Sequence, residues 1–89
     1  MSILEEKRKI RETIRRFDSR IEKMHLDFQK FRSGEEKKIP DWESLERELI
    51  VFSRQKLFDQ ELLNLLDQVL YKFQNRKRIW LRWVEERYH

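Results

Sequence analysis

Glycine and proline each occur once in these 89 residues, at Gly34 and Pro40. Turns with positive φ depend on Gly, Asn or Asp, so a chain with this little punctuation has no route to a many-turned β fold. Two long uninterrupted stretches remain, one on each side of residues 34–40, and helices are what such stretches form.

The first stretch carries the matching apolar pattern. Ile3, Ile10, Ile14, Phe17, Ile21, Met24, Phe28 and Phe31 follow alternating spacings of four and three, with Lys7 in the one missing position. In heptad terms Ile10, Phe17, Met24 and Phe31 are d residues, and Ile14, Ile21 and Phe28 are a residues. Glu5–Lys9 and Glu12–Arg16 add i,i+4 pairs in the favourable order, each worth about 0.3 kcal/mol. The spacing predicts one helix over residues 2–32, about 46 Å long at 1.5 Å per residue. Gly34 stands just past the last seam residue, where a C′ position needs φ > 0. After a polar connection, Asp41 is the expected N-cap of the next helix, with Glu43 at its positive end and Pro40 packing on Leu45.

From Trp42 onward a similar seam runs through Leu45, Leu49 and Phe52, and its phase slips near residues 53–56. It resumes as Phe58, Leu62, Leu65/Leu66, Val69, Phe73, Trp80 and Val84. Such a slip is either a stutter in one long helix over 41–88 or a true break with Asp59 as a new N-cap. The sequence favours the single helix, kinked or broken near 53–58. The expected fold is therefore all-α: a long antiparallel helical hairpin forming one domain over residues 1–89.

Residues 57–73 are apolar on more than one stripe, whereas a helix facing a single partner needs only one. In an antiparallel hairpin, residues 73–88 would overhang the first helix by about four turns, carrying Ile79, Trp80, Leu81, Trp83 and Val84. Exposed aromatics in that number mark a contact surface. A second copy of the chain is the expected cover, giving a homodimer resembling a four-helix bundle. Its oligomer or partner interface would use Leu62, Leu66, Val69, Phe73, Trp80, Trp83 and Val84.

Charge is distributed unevenly. The total is 21 Lys+Arg against 17 Asp+Glu, net +4. Residues 7–23 hold eight basic and three acidic side chains, and residues 72–89 hold six and two. The segment between them is net acidic. An antiparallel hairpin would gather the two basic blocks at one end, where polyanions are attracted. The candidate contacts are Lys7, Arg8, Lys9, Arg11, Arg15, Arg76, Lys77, Arg78 and Arg82. The blander reading is that these charges solvate helix faces and pair along them.

Little in the sequence points to catalysis. With no Cys there is no thiolate metal site, no disulfide and no cysteine nucleophile. Glu22/His25 and Glu86/His89 have the Glu-x-x-His spacing of di-metal bundles, but Glu22 and His25 flank the a/d seam and His89 ends the chain. The two His suggest no Ser/His/acid constellation, and the one glycine cannot build a phosphate-cradling loop. No catalytic residue, metal or cofactor is expected, and no small-molecule substrate. The early residues run straight into charge, and the longest apolar run, residues 49–52, is far short of the roughly 20 needed to cross a bilayer; the expected compartment is the cytoplasm. The segment 76–89 mixes Arg and Lys with Trp80, Trp83 and Tyr88. It suits an oligomer edge, nucleic-acid backbone contact or, less well, a membrane surface. The expected function is a non-enzymatic adaptor or assembly subunit that docks an acidic partner protein with its basic end. The alternative is a small nucleic-acid-binding protein that contacts phosphates.

Overall fold

Local capping chemistry sets where the helices begin and end. The computed structural model describes residues 2–88, with α1 over Ile3–Ser33, α2 over Trp42–Ser53 and α3 over Gln60–Tyr88. Ser2 caps α1 by accepting the Glu5 amide at 3.2 Å. At the other end Gly34 adopts φ 89° and donates its amide to the Phe31 carbonyl, which satisfies one of the orphan carbonyls of the last turn. Asp41 caps α2 as expected, accepting the Ser44 amide at 3.1 Å and the Ser44 hydroxyl at 2.6 Å.

The phase slip is a break, not a stutter. A continuous seam of alternating fours and threes from Leu45, Leu49 and Phe52 would next bring Lys56 and Asp59 into the core, where a charge is costly. Instead α2 ends at Ser53, whose hydroxyl donates to the Ile50 carbonyl at 2.7 Å. Asp59 restarts the chain by accepting the Leu62 amide at 3.1 Å, while its carbonyl accepts from the Leu63 amide. The favoured single helix over 41–88 is thereby replaced by α2 and α3.

That break changes the direction of the last helix. α2 returns antiparallel to α1, bringing Phe52 to Phe17 and Glu48 to Arg20. After residues 54–59 the chain reverses again, and α3 runs parallel to α1. Lys7 meets Asp59, Glu22 meets Lys72 and Arg76, Phe28 meets Trp80, and Phe31 meets Arg87 and Tyr88. The molecule measures 51 × 18 × 17 Å, as two parallel helices of about thirty residues at 1.5 Å rise require. The expected four-turn overhang therefore does not arise.

The core follows the α1 seam. Ile14, Phe17, Ile21, Phe28 and Phe31 are buried against Leu45 and Leu49 of α2 and against Leu62, Leu66, Val69, Phe73 and Trp80 of α3. The residues expected at an oligomer interface are thus placed differently. Leu62, Leu66, Val69, Phe73 and Trp80 are in the chain's own core, with Trp83 and Val84 half-buried against it. The reason is the second reversal, which lays the whole of α3 along α1. The surplus stripes of residues 57–73 then have two partners, α1 and α2, within one chain.

Candidate functional site

The two basic blocks do not gather at one end; they meet where Asp18 and Glu22 face Lys72 and Arg76. Because α3 is parallel to α1, Arg11 lies at the level of Glu61 and Arg76 at the level of Glu22. Eleven residues of α1 separate those levels, about 16 Å along the axis. Many of the expected phosphate contacts are also engaged by carboxylates. Lys7 binds Asp59 at 2.8 Å and Glu61 at 3.4 Å, and Arg11 binds Glu61 at 3.1 Å. Arg8 lies 3.9 Å from Glu12, Arg76 binds Glu22 at 3.0 Å, and Lys77 binds Glu46 at 2.6 Å. Lys9 has a partner as well. Arg15, Arg78 and Arg82 are exposed on the outer faces of α1 and α3.

These pairings act on the titrating groups in consistent directions. The Asp59 hydrogen bond raises Lys7 above its ordinary value, against an opposing effect of burial. Lys7, followed by the Leu62 amide, holds the Asp59 carboxyl below the usual range. The Lys72 hydrogen bond lowers Glu22, with Arg76 adding to it. At Lys72 itself burial works against the charge, but hydrogen bonds to Glu22 and Asp18 outweigh it and the pKa rises. The cations of residues 72–77 therefore act first as struts between helices. Such half-exposed pairs fix alignment more than they add stability.

The Glu-x-x-His pair on α1 is committed elsewhere. Glu22 is held by Lys72 and Arg76. The His25 Nδ1 accepts the Trp80 indole N–H at 3.0 Å. Among the described residues no group of three or more His, Cys, Asp or Glu side chains converges as a metal site would require. The pair Glu86/His89 lies partly outside the described residues, since it includes His89. No helix among the described residues is long and apolar enough to cross a membrane.

An apolar concave surface lies between α1 and α2. It runs along the last turns of the twelve-residue α2. Thr13 and Phe17 of α1 face Arg47, Glu48, Val51, Phe52 and Gln55 across a groove of about 550 Å³. Phe17 and Phe52 form its floor, their rings 5.5 Å apart, and Val51 is 64% exposed beside them. Arg16 and Arg20 extend the same groove along α1. Arg20 binds Glu48, lowering that carboxyl, and its guanidinium lies 5.6 Å from the Phe17 ring centre. Arg16 donates to the Thr13 hydroxyl at 3.1 Å and Arg47 to the Ser44 hydroxyl at 3.0 Å, while the Arg47 charge also helps to lower Asp41 and Glu48.

The sequence reading missed this groove. No local pattern marks it, because it depends on how Thr13 and Phe17 of α1 meet residues 47–55. A second exposed apolar group, Ile3, Leu4 and Phe58, lies at the end of the molecule where Lys7 meets Asp59. Comparison with known proteins finds no matching family, curated protein or solved structure.

Proposed function

We propose that this chain is a non-enzymatic interaction protein that docks an acidic amphipathic helix of a partner protein in the α1/α2 groove. The observation that carries this reading is the combination of an apolar floor, Phe17, Val51 and Phe52, with three arginines, Arg16, Arg20 and Arg47, against one glutamate, Glu48. A groove between two helices accepts the side-chain ridge of a third, and apolar anchors spaced i, i+3/i+4 would meet the two Phe rings. Carboxylates flanking those anchors would find Arg16 and Arg47, neither of which is in a salt bridge among the described residues, although Arg47 acts at longer range on Asp41 and Glu48. Such charge complementarity speeds encounter and sets orientation more than it adds affinity.

The test is fluorescence anisotropy with a labelled amphipathic peptide of Leu and Glu, set against the same peptide with Lys for Glu. Micromolar binding of the acidic peptide, weakened at least tenfold by Val51→Glu and by the pair Arg16→Glu/Arg47→Glu, supports the reading. Binding that ignores those substitutions, or equal binding of the Lys peptide, overturns it. So does light scattering that shows a second copy of the chain covering the groove.

A second reading, contact with a nucleic-acid backbone, rests on Arg15, Arg78 and Arg82, which are exposed and form no ion pair among the described residues. Its signature is random-sequence DNA or RNA binding whose log K falls linearly with log salt. A slope near −2 to −3 fits these three residues, and Arg78→Glu/Arg82→Glu should abolish it.

A further inference from the structure

Trp80 is fully buried, at 0% exposure, and its indole N–H has one acceptor, the Nδ1 of His25. An imidazole nitrogen can accept a hydrogen bond only while it carries no proton. We propose that His25 is a proton-sensitive latch: neutral, it holds the last third of α3 against α1, and on taking up a proton it releases that segment.

The geometry gives the latch its consequence. Trp80 is the centre of the aromatic packing between the two helices, stacked on Phe28 at 5.0 Å with 4° between planes and met edge-on by Phe73 at 5.8 Å. A proton on Nδ1 would set two N–H donors against each other across 3.0 Å. The indole would then be a buried donor without an acceptor, an arrangement that folded proteins rarely tolerate. Relief requires Trp80 to move, and its stack on Phe28 is one of the contacts that hold residues 80–88 on α1, beside those of Arg87 and Tyr88 with Phe31.

The charges around His25 point the same way. On α1, Glu22 favours the imidazolium, but Lys72 and Arg76 of α3 both bind that carboxylate. Burial is the larger influence on His25 and disfavours the charge, and Arg76 adds to it, so the group titrates below its ordinary value of 6.5. Trp83, with its ring 5.4 Å from the imidazole, would attract a cation. That ring already holds the Arg32 guanidinium at 4.9 Å. From α2, the carboxylates turned toward the bundle, Glu46 and Glu48, are bound by Lys77 and Arg20.

The sign follows from linkage. A histidine with a depressed folded-state pKa leaves the unfolded chain binding more protons, so its contribution is complete above 6.5 and is lost as pH falls through the folded-state pKa. The latch is closed at neutral pH and opens as pH falls through that lowered midpoint.

NMR on the full chain tests this, with His89→Gln in every sample so that one imidazole titrates. The expected results are a His25 midpoint below 6.5 and, through that midpoint, at least a tenfold loss of Trp80 indole N–H protection after correction for intrinsic exchange. His25→Asn places an amide oxygen near the Nδ1 position, an acceptor that does not titrate in this range, and should abolish the pH dependence. Trp80→Phe removes the donor and should bring the His25 midpoint back toward 6.5. A His25 midpoint at or above 6.5, unchanged indole protection, or the same acid response in His25→Asn would overturn the proposal. The last outcome would assign the response to carboxylates such as Glu22.

Discussion

The two halves of the α1/α3 pair are built from different chemistry. Toward the C-terminal ends, Phe28, Phe31, Phe73 and Trp80 interlock as rings, and Arg87 donates to the Phe31 and Glu36 carbonyls at 2.7 and 2.8 Å. Toward the N-terminal ends the core narrows to aliphatic contacts, Ile14 against Leu62 and Leu66, with Ile10 half-buried. There Lys7 and Arg11 bridge to Asp59 and Glu61. Aromatic packing removes large apolar areas from water and is insensitive to salt, whereas exposed ion pairs add little and are screened. The same two parallel helices should therefore be firmly joined at one end and loosely at the other. Hydrogen exchange should show the gradient, with the slowest amides in residues 21–31 and 69–80 and the fastest in 3–11 and 60–63.

The largest expected effect is at the firm end. Trp80→Ala removes the central ring and leaves Phe28 and Phe73 facing a cavity, a loss of about 3–5 kcal/mol by chemical denaturation. At the loose end Leu62→Ala should cost less, about 2–3 kcal/mol, because the open neighbourhood of residues 57–63 can collapse on the gap. Equal losses at the two positions would break the comparison. Raising salt to about 1 M should sharpen it, since exchange near Lys7 and Glu61 should accelerate while that near Phe28 stays constant.

Next in size is Gly34→Ala, at the joint that starts the return toward the loose end. Nothing lies within 4 Å of where a Cβ would stand, so the expected loss of about 1–2 kcal/mol comes from the left-handed backbone alone. A larger loss would mean that the loop packs more tightly than its open surroundings suggest. This joint was legible in the sequence, as were the α1 seam to within one residue at each end and the Asp41 cap, because each is written in neighbouring residues. The direction of α3 was not. It depends on whether residues 53–59 break, and Asp59 caps α3 while held by Lys7, a partner fifty-two positions away that no local pattern reveals. Once that direction is misassigned, Trp80 reads as overhanging surface, and Arg11 and Arg76 read as neighbours. Glu22 and Lys72, likewise, cannot be paired from i,i+4 spacing on either helix.

The smallest expected effect lies at the extreme of the loose end. Phe58 is 93% exposed on the connection between α2 and α3, so it contributes almost nothing to holding that connection in place. Phe58→Ser should leave stability within about 0.5 kcal/mol of the original, as surface substitutions away from caps and cores do. Its neighbour in sequence, Leu57, is half-buried against the core, and Leu57→Ser should cost more, since a hydroxyl there faces apolar groups. The contrast between two adjacent residues isolates packing from any general sensitivity of the linker. If Phe58→Ser matched Leu57→Ser at low protein concentration, the ring would be folded down on Ile3 and Leu4 in solution and the loose end would be closed. If the loss appeared only as concentration rose, a second chain would be burying Phe58, and the exposed end of the α1/α3 pair would be where two copies meet.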